Sequence, residues 1–392
     1  MNRLIIYLIA SGCFLVGVAE LIVAGILHII AADMRISIAL AGQLITAYSL
    51  AFAIGTPVLV AVFSRLPVKK LLIGALALFI VGCFVSWGSG AHFPAMLLSR
   101  IVLGVSAGVF CVVALGSVAK LVPPDKIGSA VSTVALAFGL AMTLGVPIGI
   151  AISGWWGWQT IFAVLGAVSL LVMLGLIRWL PPIEGDAQVS FRRQFIVLKN
   201  PVILSGLLFS LITCLSQSVI LSYLTPILNT VLHLEVSRIG IVMFVLGIFG
   251  MLGSRAGGYS VDTWGPVKTI SLGTAASIIS LALLPLFSAS LAMGLVWIVL
   301  WMISLFMTAP AIQTYFIQEA PQSANLVLSL NTSVIHLGLA GGAAFGGLLV
   351  TVTSTVLYNP WVASGCYFAS LLVAVFSFAA RKRYARNMME PS

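Results

Sequence analysis

Two charged residues sit deep inside apolar runs of this 392-residue chain, far from the polar segments that hold the other charges. Glu20 lies 16 residues into the run that begins near Leu4, and Arg100 lies six residues past Pro94 in another. An ionised side chain in apolar surroundings is costly and persists where it is paired or has a task. A buried carboxyl whose surroundings open and close can take up and release a proton, and a guanidinium beside it can hold the deprotonated form. That makes Glu20 a candidate proton carrier and Arg100 its partner; the competing reading is a static structural bridge. His336 is the third titratable group at depth, either a neutral imidazole bonded to a neighbouring helix or a substrate contact. Tyr48, Thr213, Gln217, Tyr223, Trp301, Gln313 and Asn331 are polar or aromatic groups within apolar runs. They suit stacking on and hydrogen bonding to a planar solute, although each alone more often serves helix packing. His28, His92 and His233 read as interface residues.

Other chemistries lack their residues. None of the seven lysines follows a glycine, so the phosphate loop G-x-x-x-x-G-K of an ATP-driven pump is absent. Gly104-Val105-Ser106-Ala107-Gly108 spells G-x-S-x-G, but inside a continuous helix rather than at a strand-turn-helix elbow. No Asp/His set accompanies it and no H-E-x-x-H occurs, so an enzyme is not expected. The five cysteines (Cys13, Cys83, Cys111, Cys214 and Cys366) show no C-x-x-C or Cys/His spacing. Neither a zinc site nor structural disulfides are expected, and no cofactor is implied. The sequon Asn331-Thr332-Ser333 falls inside a helix and is not a glycosylation site there.

The elements that must position these residues follow from composition. Lys and Arg number 19 and Asp and Glu nine, only 7% of the chain, against 61% apolar residues. So few charges cannot cover a soluble fold, and so apolar a chain does not stay disordered. The expectation is an all-α integral membrane protein. A crossing helix needs roughly 20 apolar residues. Twelve candidates lie near 4–31, 41–63, 70–90, 94–118, 127–152, 159–180, 201–224, 237–259, 268–287, 290–316, 325–350 and 356–380. The runs are continuously apolar rather than alternating, which excludes a barrel. The first is too long for a signal-peptide core and reads as a retained helix. Arg100 then lies about 9 Å inside the outer boundary.

Basic residues orient the spans. With the N-terminus in the cytoplasm, the inner side holds Arg3, Arg65, Lys69, Lys70, Lys120, Lys126, Arg178, Arg192, Arg193, Lys199, Arg255, Lys268, Arg381, Lys382, Arg383 and Arg386. The outer side holds Arg35 and Arg238. Such an imbalance predicts both termini inside, and it accounts for the net charge of +10 without nucleic acid. The expected organisation is a six-helix bundle over 1–180, a cytoplasmic linker over 181–200, a second bundle over 201–381 and a basic tail over 382–392. The remaining acids, Asp33, Asp125, Glu184, Asp186, Glu235, Asp262, Glu319 and Glu390, fall in loops, at helix ends or in the tail.

An internal repeat joins the halves. Pro67-Val68-Lys69 matches Pro266-Val267-Lys268, and Gly139-Leu140-Ala141 matches Gly338-Leu339-Ala340, both at an offset of 199 residues. Thr133 and Thr332 keep that register. Six helices per half give the copies the same orientation, a parallel repeat of the kind that builds transporters around a central site.

Several motifs carry a family resemblance. Gly257-Gly258-Tyr259-Ser260-Val261-Asp262-Thr263-Trp264-Gly265-Pro266-Val267-Lys268 resembles the G-x-x-x-D-x-x-G-x-x-K/R loop of the major facilitator superfamily; its first copy is degraded, with Phe63 in place of the Asp and Leu66 in place of the Gly. Arg100, Gly104 and Gly108 share one helical face and look like the superfamily's R-x-x-x-G motif, linked there to proton transfer. Gly145-Val146-Pro147-Ile148-Gly149 looks like its antiporter motif in the fifth span; structurally, it reads as a kinked, tightly packed helix. Together with the first span, Phe14 to Leu27, these residues closely resemble the drug:proton antiporter family, within it the bacterial branch of purine-base and nucleoside exporters, with sugar and chloramphenicol exporters as neighbours. Ala41-Gly42-Gln43-Leu44, Ala309 to Gln313 and Asn331-Thr332-Ser333 leading to Gly346-Gly347 add to the likeness. The resemblance implies a twelve-helix fold in the bacterial cytoplasmic membrane, a monomer, a small-molecule substrate and a proton as coupling ion. A proton symporter, a facilitator and a transporter-like sensor that binds without translocating are the rival readings; a facilitator has no need of Glu20.

Overall fold

A computed structural model describes residues 3–63, 66–122, 127–183, 197–320 and 324–389. Of the charges placed above, Arg65, Asp125, Lys126, Glu184, Asp186, Arg192, Arg193 and Glu390 lie outside these residues. All regular structure among the described residues is helical, and twelve helices are long and apolar enough to cross a membrane. We label them α1 (Arg3–Gly25), α2 (Ile38–Val62), α3 (Val68–Gly88), α4 (Phe93–Lys120), α5 (Ile127–Leu140, continued below), α6 (Gln159–Trp179), α7 (Pro201–Leu221), α8 (Val236–Trp264), α9 (Pro266–Leu283), α10 (Leu291–Glu319), α11 (Ala324–Thr353) and α12 (Asn359–Met389). The twelve predicted spans and the all-α class are those of the structure.

The sequence explains the local departures. The first span, expected as one run to residue 31, breaks at Ile26 and resumes as Leu27–Asp33. Asp33, at the end of that piece, accepts hydrogen bonds from Trp158 Nε1 at 2.8 Å and Gln159 Nε2 at 3.2 Å, tying it to the start of α6. In α5 the residues Ala141–Gly145 form a π turn before the helix resumes as Val146–Trp156. Pro147 has no N–H and its ring crowds the carbonyl four residues earlier; the wider turn accommodates it. The kink expected at this motif is therefore a π segment. The seventh run ends at Leu221, and its continuation is a turn, the short helix Leu224–Pro226 and a π turn over Ile227–Val231.

The chain forms two compact units. One comprises Met1–Gln188, Ser222–Pro226 and Glu235–Gly247; the other comprises Val189–Leu221, Ile227–Leu234 and Ile248–Ser392. Inside the first, Lys69 Nζ donates to Ile177 O at 2.8 Å and Leu180 O at 2.7 Å, placing a cation on the carbonyls that end α6. Inside the second, Val202, Phe209, Ile270, Tyr315 and Phe316 belong to one buried cluster drawn from α7, α9 and α10. Close by, Arg381 pairs with Glu319 at 2.6 Å, joining α12 to α10.

Candidate functional site

The first unit gathers most of the motif residues around one stretch of α1. Arg100 on α4 is completely buried, yet its guanidinium is well provided for. Nη1 donates to Ala19 O at 2.7 Å and Nε to Leu44 O at 3.3 Å. Both carbonyls belong to helices, and a carbonyl's second lone pair allows the extra bond. The guanidinium carbon also stands 4.4 Å from the centre of the Tyr48 ring, a cation–π contact. Glu20 follows Ala19 directly and is half-buried, and the charge of Arg100 acts on it. Arg100 Nη2 and the Tyr48 hydroxyl are buried without a hydrogen-bond partner. Arg100 is thus fixed by α1 and α2 through Nε and Nη1, with its Nη2 group uncommitted.

Glycines set the helix spacing that makes this possible. At Gly104, one turn beyond Arg100, a Cβ would collide with the Tyr48 carbonyl oxygen. A Cβ on Gly108 would meet Thr56, 2.9 Å from that residue's own Cβ. On the other side of α1, Cβ atoms on Gly145 and Gly149 would run into Val18 and Ile22, the residues two before and two after Glu20. The π turn ahead of Pro147 therefore presents both glycines to α1. The glycines of α4 thus bring it to backbone distance of α2, while those of α5 receive the Val18 and Ile22 side chains that flank Glu20 on α1. Tyr223 also belongs to this unit; it is fully buried, with its hydroxyl where a Cβ on Gly42 would lie.

The second unit holds Thr213, Trp301, Asn331 and His336, all buried. The Thr213 and Ser370 hydroxyls hydrogen-bond at 2.6 Å, linking α7 to α12. Trp301 faces Tyr367, a buried aromatic on α12 that sequence reading did not single out. Its signal was faint: a tyrosine three residues before Ser370 within the apolar part of the helix. The Asn331 side-chain oxygen is buried without a hydrogen-bond partner. Gln217 is half-buried and Gln313 exposed. In the loop motif, Gly265 has φ +82°, a conformation that favours glycine, while Asp262 and Lys268 are exposed and Gly258 is half-buried. Among the described residues, no group of three or more His, Cys, Asp or Glu side chains could hold a metal ion.

Comparison with known proteins agrees with this architecture. The family model described as Major Facilitator Superfamily matches residues 9–343. YbcL of Bacillus subtilis (strain 168), an uncharacterized MFS-type transporter, is 33% identical over 383 residues, 97% of each chain. YdhP of Escherichia coli (strain K12), an inner membrane transport protein, is 27% identical over 381 residues, covering 96% of this chain and 95% of its own. Among solved structures, a D-xylose-proton symporter matches with a TM-score of 0.77 at 17% identity, over 96% of this chain and 97% of its own. A bacterial homolog of the human lysosomal transporter Spinster, inward-facing and unoccupied, matches with a TM-score of 0.76 at 15% identity, over 99% and 98%.

Proposed function

The chain belongs to the Major Facilitator Superfamily of membrane transporters rather than to any enzyme family, and we propose that it is a proton-coupled exporter of a small organic solute. It works by alternating access in the inner membrane, where YdhP is named as residing, with both termini cytoplasmic. The observation that carries this reading is Glu20 on α1 beside Arg100 on α4, the latter held by the Ala19 and Leu44 carbonyls. Ionised, Glu20 is attracted to a guanidinium that cannot follow it. Protonated, it loses that attraction, and α1 loses one constraint on its position. A proton and a solute that favour different arrangements of α1 then compete, and competition for one conformational cycle gives exchange. The membrane potential contributes about 2.3 kcal/mol per charge per 100 mV, enough to drive a neutral solute outward against one entering proton.

The solute class rests on the resemblance to purine-base and nucleoside exporters, with drugs, sugars and chloramphenicol as alternatives. Within the second unit, the buried aromatic Trp301 and the buried amide Asn331 are of the kinds that suit a planar ring bearing hydrogen-bonding edges. No cofactor beyond the coupling proton is invoked, and the monomer is the working unit. In proteoliposomes, Glu20→Gln is expected to abolish flux driven by a pH gradient while solute binding persists; undiminished driven flux would overturn the assignment. A symporter would accumulate solute together with the proton, and a sensor would bind without flux. A thermal-shift screen of purines, nucleosides, sugars and antibiotics identifies the ligand for these assays.

A further inference from the structure

Contacts inside the second unit fix which way α12 is turned. The Ser370 hydroxyl meets Thr213 of α7 at 2.6 Å, the Ser377 and Tyr315 hydroxyls hydrogen-bond at 2.9 Å, and Arg381 pairs with Glu319 at 2.6 Å. Spaced seven and four residues apart, these three residues mark one face of the helix. Away from that face, Phe368, Leu372, Val375 and Phe376 are each more than half exposed. On a membrane helix such a stripe is covered by acyl chains. The apolar span ends at Arg381, but the helix runs on to Met389. Lys382, Arg383 and Arg386 lie in this extension. A step of seven residues returns to the same helical face with about 20° of drift. Lys382 is seven residues beyond Val375, Arg383 seven beyond Phe376 and Arg386 fourteen beyond Leu372. Tyr384 and Met388 take the inward register instead, seven beyond Ser377 and Arg381. The outward stripe therefore turns from apolar to cationic where the span ends. A tail made basic only to set orientation has no reason to be sided. Nor does the repeat demand charge here, since the positions 199 residues earlier hold Ile183, Glu184 and Ala187.

We propose that Lys382, Arg383 and Arg386 form a binding site for the headgroup of an anionic phospholipid whose acyl chains lie along the Phe368–Phe376 stripe. The depths agree. A bilayer about 40–45 Å thick with about 30 Å of hydrocarbon has a headgroup layer of roughly 5–8 Å on each side. At 1.5 Å per residue the three positions lie about 1.5, 3 and 7.5 Å past Arg381 along the helix axis, and so span that layer. Basic residues just beyond a membrane span attract negatively charged headgroups, and the attraction fades within a Debye length. A zwitterionic lipid offers a phosphate too, but its own ammonium cancels the charge, so preference for net-negative lipid is the signature of the site. The Arg381–Glu319 pair holds α12 in the rotation that sets the cationic stripe outward. The site is independent of what the transporter carries and in which direction; in the proposed topology its leaflet is the cytoplasmic one.

The test is native mass spectrometry of the full-length protein in a neutral detergent, titrated with phosphatidylglycerol or with phosphatidylcholine of the same acyl chains. Wild type is expected to bind its first phosphatidylglycerol at least fivefold more tightly than phosphatidylcholine, with the preference shrinking as salt is raised. The variant Lys382→Gln/Arg383→Gln/Arg386→Gln is expected to keep less than a twofold preference. A second variant, Arg383→Tyr/Tyr384→Arg/Arg386→Met/Met388→Arg, preserves composition and net charge but moves two of the cations to the inward register. It should lose the preference as the first does. Both should melt with wild type in lipid-free detergent, because the changes lie beyond the span. No preference in wild type, or an undiminished one in either variant, would overturn the proposal. So would an earlier melt of the variants, which would assign these residues to packing, or displacement of the bound lipid by excess soluble glycerol phosphate, which would make this a site for free phosphate.

Discussion

Gly104→Ala would test whether helix spacing positions Arg100. A Cβ at residue 104 collides with the Tyr48 carbonyl oxygen and lies 3.0 Å from that residue's carbonyl carbon and 3.1 Å from its Cα. These are backbone atoms, so no rotamer change relieves them. Carbon–carbon contacts are comfortable at about 3.5–4.0 Å, so α2 and α4 must separate by roughly 1 Å. Gaps of about 0.5–1 Å forfeit a quarter to a half of each contact's dispersion energy. Overpacking of this kind costs roughly 1–3 kcal/mol, offset by about 0.5–1 kcal/mol from replacing a helical glycine. The Arg100 Nε bond to Leu44 O, already 3.3 Å long, would not survive the shift. Gly116→Ala is the control: the residue lies on the same helix with nothing within 4 Å of a Cβ there, so it gains the propensity term alone. The two variants should therefore differ by roughly 2 kcal/mol, about 4–8 °C in apparent melting midpoint for a six-helix unit. Intrinsic fluorescence in detergent at one scan rate reads this, and proteoliposome flux should fall for Gly104→Ala only. If Gly104→Ala melts with or above Gly116→Ala, the spacing argument is wrong.

Lys69→Met removes the cation from the Ile177 and Leu180 carbonyls and should cost about 1 kcal/mol, with faster hydrogen exchange at the end of α6; exposed Lys70→Met should leave that exchange unchanged. The positions 199 residues beyond Glu20 and Arg100 are Val219 and Val299, so the double variant Glu20→Val/Arg100→Val should fold as stably as wild type but without proton coupling. Arg100→Val alone should be less stable than the double variant, because it leaves a carboxyl at depth with its countercharge removed; a double variant less stable than either single one would refute this.

Glu20 and Arg100 were legible because a single charge stands out in an apolar run. Their partnership followed from there being two such charges to place; the contacts that hold Arg100, the Ala19 and Leu44 carbonyls and the Tyr48 ring, did not, since nothing local encodes how α1, α2 and α4 meet. Tyr48 drew notice as an aromatic at depth, but the guanidinium over its ring depends on how α2 and α4 cross. Pro147 announced an irregularity in α5, whereas the π turn that absorbs it is a property of the packed helix. The faces of the spans were harder still. In water, a helix reveals its buried side by alternating polar and apolar residues; these helices are apolar all round, so nothing in the pattern separated exposed Gln313 from buried Trp301. Tyr367 escaped for the same reason.

The repeat shows which features the fold requires and which belong to chemistry. Gly104 and Gly108 on α4 correspond to Ile303 and Met307 on α10, so the close-packing motif is lost in the second copy. The close approach survives. Gly253 and Gly257 on α8 now face α10, and a Cβ on either would lie 2.8 Å from the Cα of Ile303 or Met307. The small residue has moved to the opposite helix of the pair while the short backbone distance is kept. Between helices in lipid there is little hydrophobic drive, so dispersion at short range does the holding, and either partner can supply the missing side chain. Packing constrains a distance rather than a residue. The same register puts valine opposite both charges, and Val219 is completely buried in its unit. A six-helix unit therefore closes without a carboxylate or a guanidinium at these positions. The cost of keeping Glu20 and Arg100 in one half alone is therefore not a cost of folding, which is what the proposed coupling role requires of them.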